Sequence, residues 1–176
     1  MKQNRNQKIS TPRLCLSPIE DSDRDAMLTL LTDPSIKKTY MIPDFADPDQ
    51  ALRMVGRFRE LSNDPDRWVF GIRLDGRLIG FLNDVDKTDT AVEMGYVITP
   101  SHWGKGYATE AFSAVMTCLF EAGFETVRAG AFAENTASMR VMEKCGMARI
   151  EETEIIPYRG ADHLCIYYEK KNTAKA

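Results

Sequence analysis

Trp103-Gly104-Lys105-Gly106-Tyr107-Ala108 separates an apolar, strand-like run, Thr90 to Ile98, from a run with helical spacing that carries Ala108, Phe112, Val115 and Leu119. Strand, small-residue turn and helix, in that order, leave backbone N–H groups unpaired at a helix N-terminus. Those groups and the positive end of the helix dipole bind a phosphate or diphosphate. Gly104, Gly106 and Ala108 keep side chains out of the approach. The spacing matches neither the nucleotide P-loop nor the dinucleotide fingerprint with its downstream acidic residue. Taken alone, the turn reads equally as a structural helix cap.

Working outward, the apolar period changes along the chain. Arg13 to Ile19 alternates like a strand, and Asp21 or Asp23 is placed to cap a helix carrying Ala26, Met27, Leu30 and Leu31. Asp47-Pro48-Asp49-Gln50 opens a second helix, with Ala51, Leu52, Val55, Phe58 and Leu61 on one side. Trp68 to Leu74 and Arg77 to Leu82 read as a hairpin turned by Asp75-Gly76. Beyond the central helix, Thr126 to Phe132 reads as a strand and Asn135 to Lys144 as a short helix stopped by Gly146. Ala148 to Ile156 and His163 to Glu169 flank a turn at Tyr158-Arg159-Gly160. The order β-α-α-β-β-β-α-β-α-β-β predicts an α/β chain with a mixed sheet and helices on both faces.

Four stretches occur together: Glu93 to Pro100, Trp103 to Ala111, Asn135-Thr-Ala-Ser138 and Glu143-Lys-Cys-Gly146. In combination they resemble the GCN5-related N-acetyltransferase superfamily, from about Thr11 to Lys170, and most of all its branch that acetylates ribosomal-protein N-termini. Gly106 and Ala108 match the last two fixed positions of that family's diphosphate loop, while Trp103 replaces its usual Gln or Arg. The resemblance implies a mostly antiparallel sheet of about seven strands. It also implies a gap between Glu93–Thr99 and Thr126–Phe132 that receives the pantetheine arm of acetyl-CoA as if it were an added strand. Gly95 is the expected bulge.

On that basis the arm lies along Tyr96, Val97 and Ile98, and an N–H of Val97 or Ile98 faces the thioester oxygen. The diphosphate sits on the N–H groups of the loop bounded by Trp103 and Thr109, which includes Gly104, Lys105, Gly106, Tyr107 and Ala108. Lys105 either adds charge or faces solvent. Asn135 is either a helix N-cap or a pantetheine contact. Ser138 either protonates the leaving thiolate or belongs to the cap. The tyrosine that many members carry seven positions after the asparagine is Met142 here. Glu93 is the candidate base, acting through water, or else a carboxylate that only attracts the amine. Tyr40, Phe45 and Trp68 are candidates for the acceptor pocket, under a lid spanning Thr39 to Asp47.

Bulk properties agree with a single domain over 11–170, flanked by flexible ends at 1–10 and 171–176. At 176 residues the chain is long enough to bury about 68–70% of its unfolded surface. No run approaches the ~20 apolar residues of a membrane helix, and no apolar region follows the polar start, so the expected compartment is the cytoplasm. Cys15, Cys118, Cys145 and Cys165 are scattered and read as reduced thiols, and with two histidines in the chain no metal site is expected. Without residues 1–8 and 169–176, 17 basic residues face 25 acidic ones, a net −8. That charge repels nucleic acid and favours amines, and it also serves as a plain solubilising surface. The leading expectation is direct acetyl transfer from acetyl-CoA to a primary amine, either a protein N-terminus or a small molecule, by a monomer or homodimer. The competing expectation is a non-catalytic acyl-CoA-binding sensor or scaffold.

Overall fold

A computed structural model of the chain describes residues 8–173. Its centre is an eight-stranded sheet in the order β1-β2-β3-β4-β5-β6-β8-β7, in which only β5 and β6 run parallel. The strands are β1 (Ile9–Ser10), β2 (Leu14–Ser17), β3 (Phe70–Leu74), β4 (Arg77–Lys87), β5 (Ala91–Ile98), β6 (Thr126–Phe132), β7 (Ala148–Tyr158) and β8 (Ala161–Lys171). The helices are α1 (Arg24–Thr32), α2 (Pro34–Lys37), α3 (Pro48–Asn63), α4 (Tyr107–Glu121) and α5 (Thr136–Lys144). The extra elements relative to the expected order are β1 and α2. With β1 starting at Ile9 and β8 ending at Lys171, described structure extends past 11–170 on both sides; residues 1–7 and 174–176 lie outside the described residues.

Two apolar layers cover the sheet. On one face, Phe112, Val115 and Leu119 of α4 and Met142 of α5 pack on Leu16, Phe70, Ile72, Met94 and Val127. On the other, Met27, Leu30 and Leu31 of α1, Ile36 of α2 and Val55 of α3 pack on Phe81 and Val97. Side-chain alternation sends Met94 to the first layer and Val97 to the second, so each strand serves both. Trp68, a candidate for the acceptor pocket, is instead buried in the first layer, edge-on to Phe124. Met142 is fully buried there too, as a core residue.

Local chemistry explains the joints. Asp75 and Gly76 both adopt positive φ (49° and 78°), the turn a two-residue hairpin needs. Asp47 caps α3 by accepting from the Gln50 N–H at 2.9 Å, with Pro48 at the first helical position. Asp23 does not cap α1 through its side chain. A 3-10 turn at Asp21–Asp23 precedes that helix, and the Asp23 carboxylate takes a two-pronged contact from Arg73 at 2.5 and 2.6 Å, buried between β3 and the turn. Removing one partner of such a buried pair costs about 3–5 kcal/mol.

The feature that positions the site is a break in the sheet. β5 and β6 pair only at Ala91↔Thr126, Val92↔Val127 and Glu93↔Arg128, and the two strands separate beyond that. The bulge near this point is on β4, where the register shifts between Asp84 and Asp86. Gly95 itself pairs regularly with Asn83, which corrects the expectation that it is the bulge. A glycine is needed there because a Cβ would lie 2.9 Å from the Tyr40 hydroxyl oxygen.

Candidate active site

The loop between β5 and α4 begins with a short 3-10 turn at Pro100–His102 and ends at Gly106, the residue immediately before α4. Gly104 and Gly106 have φ of 72° and 80°, a region that side chains with a Cβ rarely adopt. No side chain caps α4, because glycine stands where a Ser, Thr or Asp oxygen would accept from the N–H groups of the first turn. A Cβ at Gly104 would meet nothing within 4 Å, so no neighbour crowds that side of the loop. The loop's own side chains point elsewhere. The Trp103 indole N–H donates to the Ile98 carbonyl at 2.6 Å, and Lys105 Nζ donates to the Ser101 carbonyl at 3.0 Å. An uncapped first turn with an open approach is what an anion of diphosphate size requires.

The strand gap adjoins this loop. The Thr99 N–H donates to Ile79 at 2.8 Å, toward β4, and main-chain groups alternate sides along a strand. Val97 therefore turns its main chain to β4; a Cβ on Gly80 would come within 2.1 Å of the Val97 oxygen. Tyr96 and Ile98 turn theirs toward the gap. Of the two N–H groups expected to face a thioester, that alternation selects Ile98 and removes Val97, whose side chain belongs to the second apolar layer. The Ile98 carbonyl, on that side of the strand, is engaged by Trp103.

Glu93 stands at the last paired position before the strands part. By alternation it shares a face with Gly95 and Val97, opposite Met94 and Tyr96. Burial pushes its carboxyl above the usual carboxylate range; Arg128 opposes that, and Asp86, Glu154 and Glu152 add to it. Arg128 Nε lies 3.6 Å from the Glu93 carboxylate, an ion pair without a hydrogen bond, and finds no hydrogen-bond partner among the described residues. The same guanidinium lies over the Tyr167 ring at 3.9 Å and bonds Glu152 at 2.8 Å.

At the other side of the gap, Asn135 caps α5, its Oδ1 accepting from the Ser138 N–H at 3.2 Å. That bears out the cap reading and leaves the amide nitrogen of Asn135 for another role. The Ser138 hydroxyl lies 2.7 Å from the Tyr96 hydroxyl, which also donates to the Ser138 carbonyl at 3.1 Å. Burial pushes the Tyr96 hydroxyl well above its ordinary range. Tyr96 thus meets α5 through its side chain as well as lining the gap, a contact that strand periodicity does not reveal.

The segment spanning residues 37–44 is held from two directions. The Tyr40 hydroxyl donates to Asn83 at 2.5 Å beside Gly95. The Tyr158 hydroxyl reaches the carbonyls of Lys37 (2.7 Å), Tyr40 (3.1 Å) and Ile42 (3.2 Å). Asp44 joins Lys37 at 3.1 Å and Arg159 at 2.9 Å, and Lys37 lies over the Phe45 ring. Tyr158 and Arg159, read from the sequence only as turn residues, are therefore latch residues for residues 37–44. Among the described residues no helix is long and apolar enough to cross a membrane, and no group of three metal-ligating side chains occurs.

Comparison with known proteins agrees with this geometry. The sequence profile described as "Acetyltransferase (GNAT) domain" matches residues 13–148. The uncharacterized N-acetyltransferase YoaA of Bacillus subtilis is 30% identical over 146 residues, 80% of this chain and 82% of that protein. A GNAT-family acetyltransferase from Bacillus anthracis superposes with a TM-score of 0.80 at 27% identity, covering 93% of this chain and 98% of that one. RimL, a ribosomal L7/L12 α-N-protein acetyltransferase solved with coenzyme A, superposes at 0.82 with 17% identity, over 93% and 97% of the two chains, and shows the shared fold. The extent of the profile match, the sequence relatives and the shared fold lead to one conclusion: this chain belongs to the GNAT acetyltransferase family and is an acyltransferase.

Proposed function

We propose that the protein transfers an acetyl group from acetyl-CoA directly to a primary amine, and that its acceptor is a peptide α-amine. The observation that carries this reading is the parting of β5 and β6 immediately after Glu93, beside an uncapped α4. The diphosphate of the donor lies on the N–H groups bounded by Gly104 and Thr109. Its pantetheine arm runs along the main chain of Tyr96 and Ile98, and the thioester comes to rest near the Ile98 N–H. The amine enters on the face that carries Glu93.

The chemistry follows from these placements. An ammonium must lose a proton before it attacks. A peptide α-amine, with a pKa of about 7.7–8.0, has a useful neutral fraction at pH 7 that a lysine amine at about 10.4 lacks. Glu93, desolvated yet ionisable, takes that proton through a water. The amine nitrogen forms its bond to the acetyl carbon, and the Ile98 N–H stabilises the oxyanion. Collapse breaks the carbon–sulfur bond, and the nitrogen's second proton passes by way of water and the Ser138 hydroxyl, at the first turn of α5, to the departing thiolate, so that Ser138 gives one proton and takes one. The peptide acceptor is favoured by the sequence resemblance to the ribosomal-N-terminus branch and by the fold shared with the L7/L12 enzyme.

The test is release of free thiol from acetyl-CoA with a panel of acceptors: peptides beginning with Ser or Ala, polyamines and free amino acids. The reading predicts turnover with peptides, abolished when their α-amine is blocked. Turnover only with polyamines would move the acceptor to small molecules, and none with any amine would overturn the catalytic reading.

A further inference from the structure

Arg13 lies outside every element the sequence links to cofactor binding, yet it touches the diphosphate loop from three sides. It precedes β2, far along the chain from α4. Its Nε donates to Glu110 Oε2 at 2.6 Å and its own N–H to Glu110 Oε1 at 2.9 Å. Its Nη1 donates to the Lys105 carbonyl at 3.0 Å. Its guanidinium lies 4.5 Å from the centre of the Tyr107 ring, and Nη2 is the nearest atom, at 3.5 Å, to the place a Cβ on Gly106 would occupy. Thr11 adds a hydroxyl bond to Glu110 at 2.6 Å. Burial pushes the Glu110 carboxyl up, but the bonds from Thr11 and Arg13 prevail and hold it below the usual range. Residues 105, 107 and 110 are thus fastened, across the first turn of α4, to a segment more than ninety positions away in sequence.

Resting on the acetyl-CoA reading above, we propose that Arg13 is a positioning residue for the diphosphate loop. Binding the Lys105 carbonyl ties that oxygen to the guanidinium, so that it is not offered to the anion, while neighbouring N–H groups stay free. A peptide whose carbonyl faced the anion would repel it, so the orientation matters more than the net charge. The planar fork is what the geometry uses: a lysine ammonium cannot reach Glu110 and Lys105 in the same directions while stacking on Tyr107.

The experiment compares two donors, acetyl-CoA and S-acetylpantetheine, which lacks the diphosphate and adenosine, in the wild type, Arg13→Ala and Arg13→Lys. In the wild type, kcat/KM favours acetyl-CoA. In Arg13→Ala that preference falls by about tenfold or more through KM for acetyl-CoA, the size expected for a lost charged hydrogen bond. Arg13→Lys recovers only a minor part of it. Acetyl-dephospho-CoA, which retains the diphosphate but not the ribose phosphate, responds to the substitution as acetyl-CoA does. Several results overturn the proposal: equal losses with both donors, full recovery in the lysine variant, or a loss confined to the donor that bears the ribose phosphate. A wild type that does not distinguish the two donors removes the diphosphate-loop reading itself. If the alanine variant fails to fold, the lysine variant, with its charge intact, carries the same comparison.

Discussion

Gly106→Ala separates anion binding from backbone stability, because the molecule contains its own control. Gly106 has φ of 80° and Gly160, at the tip of the β7–β8 hairpin, has 77°. An added Cβ would meet only Arg13 Nη2 at 3.5 Å in the first case and nothing within 4 Å in the second. Neither alanine creates a clash, so each variant costs mainly the left-handed strain of about 1–2 kcal/mol. At about 2–4 °C per kcal/mol for a chain of this size, both should melt about 2–8 °C lower. Coenzyme A should tell them apart. A methyl group at Gly106 that displaces the diphosphate from two N–H groups removes about 1.5–3 kcal/mol for each charged hydrogen bond. Affinity then falls about 10²- to 10⁴-fold, whereas Gly160→Ala binds as the wild type does. Thermal melts and titration calorimetry with coenzyme A give both numbers. Equal coenzyme affinity in the two alanine variants would refute the cradle.

Three further outcomes follow from the site. Glu93→Gln should lower kcat by about 10²-fold or more and flatten the acidic limb of the pH–rate profile. Burial raises the Glu93 pKa in the fold, so the cost to the native state sets in as pH rises past the group's ordinary value and is complete above the raised one, and the glutamine variant should not melt below the wild type at neutral pH; unchanged kcat between about pH 6 and 9 would remove the base assignment. Ser138→Ala leaves the Asn135 cap bond to the Ser138 N–H intact, so it should reduce kcat by about tenfold with little change in melting, and full activity would return Ser138 to a purely local role. Tyr158→Phe removes the hydroxyl that reaches Lys37, Tyr40 and Ile42, at a cost of about 1–2 kcal/mol. It should raise KM for the acceptor and not for acetyl-CoA, and limited proteolysis should cut first within residues 38–46.

What was legible in the chain was local. Asp75-Gly76, Asp47-Pro48 and the glycines of the loop each force a backbone geometry from two or three neighbouring residues, and each appears where expected. The position of Glu93 at the edge of the gap was likewise readable, because strand parity and the family resemblance agree on it.

The misses share one physical cause, which is that they depend on contacts made across the fold. Gly95 looked like a bulge because glycine in a strand is ambiguous, and only the approach of Tyr40 explains it. The choice of Ile98 over Val97 depends on which side of β5 faces β4. Trp68 could serve a core or a pocket equally well from its sequence, and its contact with Phe124 decides for the core. Arg13 and Glu110 carry no mutual signal at their separation, and Tyr158 reaches residues 37–42 only because the β7–β8 hairpin folds over them.

The central claim concerns which main-chain amides receive the donor. Residue-resolved amide hydrogen exchange, with and without coenzyme A, tests it most directly. The account predicts slowed exchange at Ile98 and from Gly104 to Thr109, with little change at the hairpin around Gly160. Unaltered exchange across residues 96–109 at saturating coenzyme A, or protection concentrated elsewhere, would contradict it.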